Sequence, residues 1–306
     1  MGSELKYLQD FYKKEFKLFY FILVLLLLAI GIYFNYWHQL ESTITSEDTW
    51  WGRFSGYWLL YFIPFALAFF LQFLFFKGIS WHKNYWFWAI LFLAPAFFSF
   101  RVNFDFHQPL IKNIWIGGAQ YFWLTCVNLV TRVFVLLIPV FIIWFIKDKG
   151  NQSFYGTKSL QNLRPYLIML LMMLPLITFA CTQNDFLQMY PRAKFITPLN
   201  LPFKRLYYII YELCYGFDFL SIEFFFRGFL ILSLYKICGP QCIIPVACFY
   251  CSIHFGKPMS EAISSFFGGL FLGIFCYNTK SIWGGLIIHL GIAWMMEVGS
   301  WVSLLL

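Results

Sequence analysis

The sequence predicts an all-α fold, a polytopic transmembrane helical bundle of about eight or nine spans. Three observations carry this expectation. Hydrophobic residues make up 61% of the chain and charged residues 12%, against about 25% charged in a soluble domain. Mean hydropathy is +0.69. Apolar runs approaching or exceeding the ~20 residues that cross a bilayer recur along the chain. They lie near 17–37, 55–76, 85–101, 118–146, 165–182, 206–235, 240–255, 260–278 and 282–303.

The first run is too long for the core of a cleavable signal peptide and lacks a small-residue cleavage site, so it is expected to remain as a signal anchor. The sixth is long enough to hold an interfacial helix before its span. Loop charges orient the bundle. Lys6, Lys13, Lys14 and Lys17 precede span one, Lys77 and Lys83 follow span two, and Lys147, Lys149, Lys158 and Arg164 follow span four. Lys236 and Lys280 follow spans six and eight, whereas the loop after span one carries Glu41, Glu47 and Asp48. The pattern fits a cytoplasmic N-terminus. One segment resists it: 183–205 should face outward yet holds Arg192, Lys194, Lys204 and Arg205. A re-entrant stretch there, or a span count off by one, would account for this. Pro191, Pro198 and Pro202 also break helical periodicity in that segment. It therefore divides the chain into N-terminal transmembrane helices (1–182), a proline-containing connection (183–205) and a C-terminal set of core helices (206–306).

The net charge of +8 does not point to nucleic acid, because the cations sit in short loops and no basic domain stands outside the membrane. Most of the eight cysteines lie in apolar runs. Cys248-Phe-Tyr-Cys251 has CxxC spacing, but inside a span it reads as small apolar packing, and no disulfide framework is legible.

Chemistry concentrates in the last hundred residues. Glu223, His254 and His289 occupy three separate apolar segments, where an ionisable group costs about 2.5–3.5 kcal/mol. Arg227 is four residues after Glu223, so the two share a helix face and can pair. His254 precedes the helix-ending Gly256-Lys-Pro258, and His289 follows Gly284-Gly285. Each alone reads as a packing residue. Together, a carboxylate and two imidazoles are the parts that activate water, with or without a metal. No HExxH motif is present. A metal held by Glu223, His254 and His289, with zinc the candidate, and a metal-free site both stay open.

These residues resemble the CPBP intramembrane protease family, also called the Abi or type II CAAX prenyl endopeptidase family. Its Glu-Glu-x-x-x-Arg motif is matched by Ile222-Glu223-Phe-Phe-Phe-Arg227, followed by Gly228. Its Phe-x-x-x-His motif is matched by Tyr250-Cys-Ser-Ile-His254, and its His-x-x-x-Asn motif by His289-Leu-Gly-Ile-Ala293. The resemblance covers roughly 205–300 and is closest to bacterial members. It implies an intramembrane endopeptidase and makes 206–306 the catalytic core. Catalytic residues would be Glu223, His254 and His289, with Arg227 and Tyr250 in support. No cofactor is required; the family was first described as metalloproteases, and zinc is the candidate if a metal is bound. The implied substrate is a membrane-embedded or lipidated peptide, and the implied location a multi-pass inner (plasma) membrane.

Three departures shape the reading. The first Glu of the motif, the usual base, is Ile222; the Asn is Ala293; the Phe is Tyr250. Glu223 could take over as base, with the histidines binding water and substrate, but adjacent helix positions point about 100° apart, so the helix would have to be rotated. Asp218, one turn earlier, is a weaker substitute because helical side chains lean toward the N-terminus. A catalytically inactive scaffold and, less favoured, a transporter are the alternatives. Arg132, Glu212, Glu261 and Glu297 are expected to serve structure.

Overall fold

The computed structural model describes residues 3–150, 154–157 and 162–305; Lys158 of the charge pattern lies outside them. The described residues form helices α1 (Ser3–Lys14), α2 (Leu18–His38), α3 (Leu40–Thr45), α4 (Trp50–Leu71), α5 (Tyr85–Asn103), α6 (Gln108–Ile114) and α7 (Gly117–Ile143). They continue as α8 (Arg164–Ala180), α9 (Asn184–Met189), α10 (Lys204–Glu223), α11 (Leu232–Cys238), α12 (Ile243–Ser252), α13 (Met259–Thr279) and α14 (Trp283–Leu305). The all-α polytopic expectation holds. Seven helical stretches among the described residues are long and apolar enough to cross a membrane. The fifth expected span is the shorter α8, and the sixth and seventh share one stretch, Lys204–Ser252.

That stretch folds back on itself. Gly239 takes a φ of 59°, open to glycine without strain, and Pro240 follows. Beyond this turn α12 runs antiparallel to the segment before it: Tyr250 packs on Phe226, with ring centroids 5.0 Å apart, and Cys242 lies against the Ile231 carbonyl. All ten residues of α12 and all eight of Phe224–Ile231 are buried. Helices apolar on every face belong at the centre of a bundle, and the largest core cluster wraps them with α2, α4, α5 and α13.

Polar pins fix both ends of α12. The Gln72 side chain donates to the Gln241 carbonyl at 2.7 Å, and Asn35 donates to the Phe255 carbonyl at 2.9 Å. On its flank, Gly269 and Gly273 of α13 form a Gly-x-x-x-Gly stripe that admits close helix approach. A Cβ on Gly269 would stand 3.0 Å from the Tyr250 ring, and one on Gly273 3.0 Å from Ile243.

The basic connection at 183–205 satisfies two of its four cations on nearby backbone carbonyls. Lys194 donates to the Leu187 and Gln188 carbonyls, and Lys204 to that of Thr197. Glu297 of α14 accepts the backbone N–H groups of Arg192 at 2.6 Å and Ala193 at 3.2 Å. Folding onto α14, rather than facing a leaflet freely, removes this segment from the charge rule. All eight cysteines are free thiols, Cys248 and Cys251 buried among them.

Gly269→Leu should destabilise the protein by about 1–3 kcal/mol through overpacking against α12. Gly268→Leu, which meets nothing within 4 Å, should leave the thermal unfolding midpoint unchanged in the same detergent.

Candidate active site

Glu223 closes α10, and the next eight residues, Phe224–Ile231, are wound as a π-helix. A π segment takes more residues per turn, which re-aims the side chains around it and is frequent at functional sites. It begins at the residue after Glu223 and contains Arg227. Ile222 packs into the apolar core, and Glu223 turns toward α14.

Glu223 is fully buried. Its carboxylate lies directly against Gly285, where a Cβ would overlap an oxygen. His289 Nδ1 is 2.7 Å from Oε1, and an Arg227 Nη is 3.6 Å from the same atom. The His289 contact is close but off the N–H axis: neither carboxylate oxygen, nor Nδ1, nor any guanidinium nitrogen of Arg227 has a well-aligned hydrogen-bond partner among the described residues. Arg227 lies instead over the Tyr250 ring, 4.3 Å from its centroid. Such stacking stabilises a desolvated cation. The Tyr250 hydroxyl meets Nε2 of His289. Glu223, His289 and Tyr250 thus form one chain of polar contacts, with Arg227 beside it.

His254 stands in the turn after α12. Its Nδ1 is 2.8 Å from the Tyr250 carbonyl. A carbonyl only accepts, so Nδ1 carries the proton and Nε2 of the neutral ring is a lone pair. The protein packed around this half-buried ring pushes its pKa down to about 4, against the pull of the Glu261 carboxylate. The same logic applies to His289: a carboxylate beside Nδ1 and a hydroxyl at Nε2 favour the Nδ1–H tautomer. Both imidazoles therefore present basic Nε2 atoms.

The predicted residues meet to different degrees. Glu223, His289, Arg227 and Tyr250 converge. His254 joins through Tyr250, with ring centroids 4.7 Å apart. No three His, Cys, Asp or Glu side chains among the described residues are grouped to hold a metal ion, so the Glu223–His254–His289 zinc set does not fit this arrangement. Asp218 is committed elsewhere, paired with Arg101 at 2.5 Å. Ala293 is buried. Glu261 accepts from Lys257 at 2.9 Å and from the Tyr190 hydroxyl at 3.1 Å. That trio ties the His254 turn to the connection before α10. Where the motif has Phe, Tyr250 adds one atom, the hydroxyl that touches His289, and a polar atom gained at a motif position is the available signal.

The fold and site define a polytopic helical membrane protein with a buried carboxylate–imidazole centre. Residues 206–295 match the family model described as Rce1-like, type II CAAX prenyl endopeptidase Rce1-like. Over these residues the chain is similar to the CAAX protease family. No curated protein and no solved structure matches the chain.

Removing one member of the buried ion pair leaves the other uncompensated, so Arg227→Met should cost about 3–5 kcal/mol. The double variant Glu223→Leu/Arg227→Met should recover a large part of that loss in a thermal-unfolding mutant cycle. For His254, the folded pKa lies below the ordinary 6.5, so the unfolded chain binds the proton more readily. Stability from this group should be intact at pH 7 and fall as pH drops from about 6.5 toward 4. In His254→Gln that part of the pH dependence should vanish.

Proposed function

We propose that the protein is an intramembrane endopeptidase that hydrolyses a peptide bond of a membrane-associated, lipidated substrate with water activated by a glutamate–histidine pair. The observation that carries this reading is the Glu223–His289–Tyr250 chain beside Arg227, inside the segment that matches the protease family.

Exposure divides the labour. Glu223 is sealed, while the His289 side chain keeps 14% of its surface accessible. A water therefore reaches His289 before Glu223. In the proposed mechanism, water takes the place of the Tyr250 hydroxyl at Nε2 of His289 and gives up its proton there. Glu223 holds the imidazolium that forms, in the way a buried carboxylate supports a catalytic histidine. Arg227 holds Glu223 in place. The displaced Tyr250 hydroxyl donates to the carbonyl oxygen of the scissile bond, a role that the Asn of the third motif would otherwise fill. His254, neutral with a free Nε2, accepts a hydrogen bond from the attacking water. The proton on His289 then passes to the leaving amine. This differs from a direct base role for Glu223: the carboxylate acts through the imidazole.

The family's association with membrane-bound prenylated proteins supports a lipidated peptide as substrate. The lysine-bearing ends of α7, α11 and α13 supply the basic face expected toward the cytoplasm and support a cytoplasmic N-terminus in an inner or plasma membrane.

The test is cleavage of a library of prenylated and membrane-anchored peptides by protein in liposomes. Wild type should cleave, and Glu223→Gln and His289→Ala should each lose at least about a hundredfold. Tyr250→Phe should lower kcat with little change in KM. If wild type leaves intact a library that a conventional family member digests, the reading fails in favour of an inactive binding protein.

A further inference from the structure

A cavity with charged residues in its lining lies on the face that carries the lysines. It holds about 430 Å³ and is lined by Asn84, Trp86, Lys147, Asp148, Lys236 and Ile237. Three chain segments build it: the start of α5, the π-helical end of α7 (Trp144–Asp148) and α11. None of its residues belongs to the Glu223 centre.

Its charge is arranged asymmetrically. Asp148 is almost fully buried, and its carboxylate is spent on Tyr155 at 2.8 Å, Lys236 at 3.1 Å and Ser233 at 3.4 Å. Lys236 keeps 27% of its side chain accessible. Lys147 donates to the Ser233 hydroxyl at 2.9 Å and lies over the Trp86 ring, 5.3 Å from its centroid. That hydroxyl is neutral, so the Lys147 charge is not cancelled by it. Two cations face one inward carboxylate, and the accessible wall is positive. The third contributor is the start of α5. Asn84 caps it, accepting from the Trp86 N–H at 2.9 Å, and no acidic residue occupies its first turn. The uncancelled positive end of this 19-residue helix adds to the two lysines. A tryptophan at such a rim suits the headgroup level of a bilayer.

We propose that this cavity binds the phosphate of an anionic phospholipid from the leaflet that meets the lysine-rich face. The phosphate would bridge Lys147 and Lys236, with the glycerol backbone against Trp86 and Ile237 and the acyl chains left in the bilayer. Basic pockets between transmembrane helices on the cytoplasmic side recognise headgroups through this chemistry. The site stands independently of the proposed peptidase activity.

The experiment is native mass spectrometry of the full chain released from nanodiscs of equal phosphatidylglycerol and phosphatidylcholine, with thermal midpoints as the folding control. Lys147→Gln keeps a donor for Ser233 and is the main variant; Lys236→Gln is the second; Lys149→Gln, outside the cavity, is the control. Wild type should retain phosphatidylglycerol preferentially. Each cavity variant should lose about fivefold in that preference, the size expected for one lysine at an anionic surface. Lys149→Gln should keep it. Equal retention of the two lipids by wild type would overturn the proposal, as would a loss in Lys149→Gln matching that in Lys147→Gln. Displacement of the retained lipid by millimolar inorganic phosphate would assign the pocket to a soluble phosphate compound and overturn the lipid source.

Discussion

A carboxylate with no exposed surface inside an apolar bundle has to find its counter-charge within reach of its own backbone. Glu223 finds Arg227 one turn along and His289 across the gap to α14. This contact requires a partner helix without a side chain at the point of closest approach. The bare Cα of Gly285 meets that requirement. Arg227 in turn needs a surface that tolerates a desolvated cation, and the Tyr250 ring supplies it. The Gly269–Gly273 stripe of α13 lets α12 come close enough to put that ring there. Much of the packing around α12 can be traced to housing one ion pair.

The same geometry brings a carboxylate, an imidazole and a hydroxyl together in a chain that lacks two familiar motif groups. Moving the glutamate by one position along a helix re-aims it, and here it faces His289. It then lies behind the imidazole, and the tyrosine that stands where phenylalanine is usual brings a hydroxyl to the other ring nitrogen. The changes at 222, 250 and 293 therefore read as one coordinated alteration rather than three separate losses.

The fold class was legible because hydropathy and loop charge are additive along the chain and survive any local detail. The convergence of Glu223, Arg227 and His289 was legible because the order of the motifs along separate helices encodes it. Other features were not. The π-helical winding at Phe224–Ile231 depends on tertiary packing and leaves no mark in a run of phenylalanines. The basic residues at 192–205 contradicted the charge rule because backbone carbonyls, invisible to composition, accept two of them. Glu297 serves structure as expected, but its partners are backbone N–H groups more than a hundred residues away in sequence.

The account turns on water reaching His289 while Glu223 stays sealed behind it. Cysteine accessibility measures this directly. In membranes, His289→Cys and Glu223→Cys would be treated with a charged, water-soluble thiol reagent, with the unsubstituted protein as the baseline for the native cysteines. The account predicts labelling at 289 and none at 223 until the protein is unfolded. Labelling at 223 ahead of 289, or at neither position in a folded protein, would contradict it.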